Sequence, residues 1–191
     1  MDAPREDQDR ADVQSVLNGD HEAFGGIVGR WQGPLVNLAY RFCHDRARAE
    51  EMAQEAFLRA FRFLDRWRGE AAFSTWLFAL ATNVYRSQMR RRRLETVPLD
   101  QIREPREPRD PEGEAAQHET ARRIRRLVSA LPPKYREALT LYYFMDMDVT
   151  AAARCLRIPQ GTLKARLHRA RARLEDRLQS TALVPAPEIK R

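Results

Sequence analysis

Residues 158 to 174, Ile-Pro-Gln-Gly-Thr-Leu-Lys-Ala-Arg-Leu-His-Arg-Ala-Arg-Ala-Arg-Leu, gather basic and hydrogen-bonding side chains at a spacing suited to a polyanion. Leu163, Leu167, Ala170 and Leu174 recur at the helical period and share one face, which must pack on a core. The opposite face then carries Thr162, Ala165, His168, Arg169 and Ala172, flanked by Lys164, Arg166, Arg171 and Arg173. Cationic flanks pair with phosphates, and a tip of small residues lets such a helix approach a DNA major groove closely. The expected chemistry is recognition. Lys164, Ala165, His168 and Arg169 are placed to reach base edges, and Thr162, Arg166 and Arg171 to hold phosphates, with helix tilt able to exchange Arg169 and Arg171. Taken alone, the segment also reads as a solvated basic helix.

A second basic cluster runs from Arg86 to Arg93 and ends in the unbroken row Arg90, Arg91, Arg92, Arg93, a pattern shared by generic nucleic-acid patches. Glu50, Glu51, Gln54 and Glu55 fall on successive turns of a third segment and offer charged and amide groups on its outer side. By themselves they read as a solvated acidic face. The histidines His21, His44, His118 and His168 have no nucleophile, metal or phosphate-loop constellation around them, so no catalytic residue, metal site or cofactor is expected. Cys43 and Cys155 lie far apart without a ligand partner at metal spacing and read as core thiols.

These residues must be carried by helices. With 191 residues and 43% hydrophobic content the chain can bury one or two modest cores, and its net charge of +7 suits a polyanion partner. No apolar run approaches the length of a membrane span, and the first ten residues lack a signal-peptide core; no membrane insertion and a cytoplasmic location are expected. Phe24, Ile27, Val28 and Trp31 share a face; so do Leu35, Leu38, Ala39 and Phe42, then Ala53, Phe57, Ala60, Phe61 and Leu64. After a turn at Arg68-Gly69-Glu70 a further helix begins near Phe73, with Ser74 or Thr75 as N-cap and Leu77, Leu80, Ala81 and Val84 inward. Trp76 is assigned to packing.

Downstream, Ile124, Leu127, Val128 and Leu131 form an amphipathic set, and Pro132-Pro133 opens a helix with Tyr135, Ala138, Leu139 and Tyr142 inward. Asp148 can cap a short helix through Leu156, followed by a tight turn at Arg157-Ile158-Pro159 and the basic helix: a helix-turn-helix. The segment between the halves holds Pro98, Pro105, Pro108 and Pro111 among acids and shows no helical period. The expected fold is all-α, two small helical domains joined by an extended linker: 1–94, a linker at 95–118, 119–182, and a flexible tail at 183–191.

Four segments resemble, in order, the signatures of extracytoplasmic-function (ECF) sigma factors of the sigma-70 superfamily. They are Asp-Arg-Ala-Arg-Ala-Glu-Glu-Met-Ala-Gln-Glu-Ala-Phe-Leu-Arg-Ala-Phe (45–61), Arg-Gly-Glu-Ala-Ala-Phe-Ser-Thr-Trp-Leu (68–77), Leu-Pro-Pro-Lys-Tyr-Arg-Glu-Ala-Leu (131–139) and the 158–174 helix. The resemblance covers about residues 20 to 180 and implies sigma region 2 and region 4 without the middle domain of larger sigma factors. Departures are Thr150, Ala151 and Ala152 where acidic and branched residues are usual, Arg157 in place of a turn glycine, Cys155 at an apolar position, and Ala53-Gln54-Glu55 in place of Val-Gln-Glu.

The resemblance implies a factor that binds core RNA polymerase, recognises and helps melt promoter DNA, and initiates transcription of a specific gene set. Glu50, Glu51, Gln54 and Glu55 would meet the clamp coiled coil of the polymerase's largest subunit. Trp67, Phe73, Ser74, Asn83 and Arg86 would serve the minus-ten element, with Arg90 to Arg93 on the backbone, because opened bases need pockets beside a basic track. Thr162, Lys164, Ala165, Arg166, His168, Arg169 and Arg171 would serve the minus-thirty-five element. An anti-sigma factor is an implied partner. The linker either threads a polymerase channel or is a passive tether. The alternative is a helix-turn-helix regulator acting without polymerase, which leaves the acidic helix at 45–61 and the arginine-ended helix at 72–93 unexplained.

Overall fold

The computed structural model describes residues 3–95, 124 and 126–182, and among them there are helices and turns but no strand. The helices are α1 (Ala3–Leu17), α2 (Phe24–Cys43), α3 (Arg46–Arg62), α4 (Phe73–Glu95), α5 (Pro133–Leu139), α6 (Val149–Leu156) and α7 (Gln160–Ala182). Residues 96–118 of the expected linker and the tail at 183–191 lie outside the described residues.

In the N-terminal block α2, α3 and α4 pack on one another through the stripes that their apolar spacing sets out. Ile27, Leu35, Leu38 and Ala39 of α2, Ala49, Met52, Ala56 and Ala60 of α3, and Leu77 and Ala81 of α4 are fully buried. The alanines of α3 leave no bulk between helix axes, so α2 approaches closely. Tyr85 is wholly buried and its hydroxyl donates to the Leu35 carbonyl at 3.1 Å, tying α4 to α2. His44 ends α2 in the left-handed conformation (φ 55°), and the Asp45 side chain caps α3 by accepting from the Arg48 N–H at 3.0 Å.

Helix α1 has no counterpart among the apolar stripes, because polar contacts seat it. Its core contribution is Val13 and Val16, while Asp9, 1% exposed, accepts from the Trp31 indole N–H at 3.0 Å and from Arg30 Nε at 2.9 Å. Asp12 pairs with the same guanidinium. The approach depends on Gly26, where a Cβ would stand 2.6 Å from Asp12 Oδ2.

Four expected placements are corrected. Ser74 and Thr75 are buried inside the first turn of α4, which starts one residue earlier, so neither precedes it as an N-cap. Phe61 is 38% exposed and stacks edge-on with Phe24 and His21 instead of entering the core. Leu80 is half-buried and Ile124 is exposed, since each lies at the margin of its stripe.

The C-terminal block follows its capping signals. Pro133 occupies the first turn of α5, where its missing N–H costs no hydrogen bond. A π-helical turn over Thr140–Phe144 follows, and Asp148 caps α6 by accepting from the Ala151 N–H at 2.8 Å. Arg157 closes α6 at φ 54°, ψ 48°, and the Ile158 N–H reaches back to the Ala153 carbonyl at 3.1 Å. Cys155 is fully buried, as expected of a core thiol, and its environment pushes the thiol pKa up to about 12. Helix α6 also rests against α4, so the two blocks touch.

Candidate nucleic-acid interface

The turn at Arg157 sends α7 away from α6 with its apolar seam inward: Leu163, Leu167 and Ala170 are buried and Leu174 is half-buried. That seam fixes the outer face. Thr162, Lys164, Ala165, His168, Arg169 and Arg171 are exposed and Arg166 is half-buried along the flank. From Gln160 to Arg173 the helix carries five cations and no acid, so its outer surface is uniformly positive. Three of the basic groups are held from the side. The Arg171 guanidinium lies 3.5 Å from the Tyr143 hydroxyl, and Arg169 hydrogen-bonds to Tyr135. Arg173 stacks on the Tyr135 ring at 5.4 Å. These aromatic rests restrict the rotamers of the arginines before any DNA arrives, and reduce the entropy lost on contact.

On α4 the candidates divide. Arg90, Arg91 and Arg92 are exposed on the last turns, with Arg93 following on the same helix. Asn83 is half-buried and its amide N–H donates to the Ala79 carbonyl at 2.9 Å, which leaves the side-chain oxygen as the acceptor it can present. Trp67 is half-buried, its indole N–H donates to the Ala71 carbonyl at 3.0 Å, and Arg10 lies 5.7 Å from its ring centre. Phe73 and Ser74 do not come to the surface. Phe73 is fully buried between Trp67 and Trp76, with ring centres 5.3 and 5.5 Å away, because the turn at 67–72 folds Trp67 back over the start of α4. Arg86 is turned toward the C-terminal block, where it pairs with Glu137 and donates to the Leu156 carbonyl at 3.4 Å.

The third surface lies on α3. Its buried arc contains Ala49, Met52, Ala53, Ala56, Phe57 and Ala60, which leaves Glu50, Glu51 and Gln54 exposed and Glu55 half-exposed on the outer side. Glu50 pairs with Arg46 at 2.7 Å and Glu55 with Arg59 at 2.8 Å, each one turn apart on α3. Leu58, 50% exposed, continues this outer row one turn beyond Gln54 and Glu55, and was not among the expected site residues. Its signal was present: an apolar residue out of phase with the buried stripe.

Two family models match the chain: Sigma-70 region 2 over residues 27–95 and Sigma-70, region 4 over residues 121–174. The chain is 32% identical to the RNA polymerase sigma-H factor of Pseudomonas aeruginosa, over 91% of this chain and 95% of that protein. It is 31% identical to the ECF RNA polymerase sigma factor SigW of Bacillus subtilis, over 87% and 95% of the respective chains. Among solved structures, CnrH in complex with the cytosolic domain of CnrY superimposes with a TM-score of 0.68 at 25% identity, covering 91% of this chain and 98% of that one. The sigma factor RpoE of Bartonella quintana, solved with the anti-sigma factor NepR, shares the fold with a TM-score of 0.66 at 23% identity, over 83% and 98%.

The architecture and the exposed basic helix are those of a helix-turn-helix DNA-binding transcription factor. More specifically, the chain belongs to the ECF sigma factors of the sigma-70 family, and acts in transcription initiation as a sigma subunit of bacterial RNA polymerase.

Proposed function

We propose that the three surfaces divide the work of a sigma factor by residue. Glu50, Glu51, Gln54, Glu55 and the adjoining Leu58 dock on the clamp coiled coil of the largest polymerase subunit, where a half-exposed leucine beside an amide and carboxylates makes an apolar anchor with a polar rim. The exposed arginines that end α4 hold the backbone at the minus-ten element, while Asn83 and Trp67 flank the opened bases. The outer face of α7 enters the major groove at the minus-thirty-five element, with His168 and Arg169 at base edges and Arg166 on phosphate. The working units are 1–94 and 119–182, joined by 95–118.

The protein works in the cytoplasm, carries no catalysis of its own, and is restrained by an anti-sigma factor. Among the described residues no helix is long and apolar enough to cross a membrane.

The observation that carries the reading is the α7 face, exposed and basic over a buried Leu163–Leu167–Ala170 seam. Transcription with purified core polymerase on a randomised promoter library tests it. Transcripts that depend on the chain and share two upstream elements are expected. Specific duplex binding by the chain alone, with no transcription on adding core polymerase, would instead support a regulator that acts without polymerase.

A further inference from the structure

Helix α1 sorts its charges. Asp9 and Asp12 turn onto the Arg30 guanidinium, whereas Arg10 is exposed and lies over the turn that leads into α4. Its guanidinium carbon is 5.7 Å from the centre of the Trp67 ring, and a Cβ on Gly69 would stand 3.6 Å from its Nη1. Gly69 takes φ 73°, which favours glycine, and its bare Cα puts no side chain between the guanidinium and the turn. Glu6 stands one turn before Arg10, at the spacing and in the order that suit an ion pair on a helix surface, yet none forms. Among the described residues Arg10 meets no carboxylate, and the Trp67 ring takes the place of one.

The ring it faces is fixed. Trp67 donates its indole N–H to the Ala71 carbonyl at 3.0 Å and rests edge-on against the buried Phe73, so the side chain has no room to swing inward. A fixed, half-buried aromatic with an arginine at its face is the pairing that suits a single nucleic-acid strand: a base stacks on the ring and the cation meets the phosphate. The planar fork of a guanidinium matches phosphate oxygens two at a time. Helix α1 is itself pinned, through Asp9, to the Trp31 indole and to Arg30, so little of the helix remains to be ordered when DNA arrives.

We propose that Arg10 of α1 is a phosphate-binding residue for single-stranded DNA, taking the backbone group beside the base that lies at Trp67. This contact rests on the placing of an opened base at Trp67 given under Proposed function, and it brings a further helix into the promoter-opening surface. In the free chain Trp67 holds the guanidinium; when a base takes the ring, the phosphate takes the guanidinium.

The salt dependence of binding tests this contact. Each phosphate neutralised on a single strand adds about 0.7 to the slope of log Kd against log salt concentration, a quantity that packing around Trp67 does not move. Holoenzyme assembled from core polymerase and the full chain is titrated with a fluorescein-labelled single strand bearing the minus-ten element of a promoter selected from the randomised library. Arg10→Gln should weaken binding about tenfold, the effect of a lost bond to a charged group, and lower the slope by about 0.7. Arg10→Lys should restore the slope. Because Arg10 is exposed, circular-dichroism melting should show both variants folded. Unchanged binding by Arg10→Gln, or weaker binding at the parental slope, refutes the phosphate contact. Trp67→Leu, which keeps apolar bulk against Phe73 and removes the ring, tests the placing of the base separately. If it weakens binding while Arg10→Gln keeps the parental slope, the base stands at Trp67 and the Arg10 contact falls. If Arg10→Gln lowers the slope while Trp67→Leu changes nothing, α1 holds a phosphate and the base at Trp67 is refuted.

Discussion

Removing Leu58 and Gln54 from the outer face of α3 should detach the chain from core polymerase while leaving it folded. Leu58 is half exposed, and full burial of a leucine is worth about 1.5–3 kcal/mol, so docking has about 1 kcal/mol left to gain from it. Gln54 adds one interfacial hydrogen bond, about 1 kcal/mol. Glu55 contributes less, because its bond to Arg59 at 2.8 Å must be broken or shared on docking. The Gln54→Ala/Leu58→Ala variant should therefore lose about 2 kcal/mol of affinity, roughly thirtyfold in Kd. Its own stability should fall by about 1 kcal/mol through the buried half of Leu58, a drop in Tm of about 2–4 °C. Anisotropy titration of the labelled chain with core polymerase at fixed salt, beside a thermal melt, reads both quantities. Binding within threefold of the parent, with the fold intact, would refute the α3 docking face.

On α7, His168→Ala or Arg169→Ala should change base preference by about 1–3 kcal/mol at one or two positions, whereas Arg166→Ala should weaken all sequences alike; promoter-library selection distinguishes these outcomes. Asn83→Ala should slow open-complex formation more than initial duplex binding, and a pre-melted promoter should restore activity to the parental level. Because Arg157 is exposed in the left-handed conformation at φ 54°, Arg157→Gly should relieve about 1 kcal/mol of strain and raise the urea midpoint. Burial, then Arg136 and Arg41, hold His44 below its ordinary pKa, so on acidification the unfolded chain takes up this proton before the native one does. Stability should fall as pH drops through about 6.5, and His44→Asn, which tolerates the left-handed cap, should flatten that component of Tm measured between pH 7.5 and 5.5.

The recognition helix was legible because one seam of Leu163, Leu167 and Ala170 fixes every other side chain by rotation. The turn at Arg157 was legible too, from the place of a missing glycine. Phe73 was not, since an aromatic at a helix start beside two tryptophans reads equally as pocket or core, and the fold-back of Trp67 decides between them. Arg86 escaped for another reason. Its partner Glu137 is distant in sequence, and no local period encodes a salt bridge between domains. Leu58 was visible as an apolar residue out of phase, but a single such residue is common on soluble surfaces and gains meaning only beside Gln54 and Glu55 on a helix whose other side is buried.

The seat of α1 bears on where region 2 begins as a physical unit. The region 2 match starts at residue 27, yet Trp31 and Arg30 direct their polar groups back to Asp9, and Val13 and Val16 belong to the same core. A fragment cut at the family boundary would strip that cover from Trp31 and leave the Arg30 cation without either carboxylate. Its recognition residues would all be present, and its foundation would not. The cooperative folding unit is therefore longer than its signature, and an insertion, tag or protease acting within the first twenty residues reaches the stability of the helices that meet polymerase and promoter.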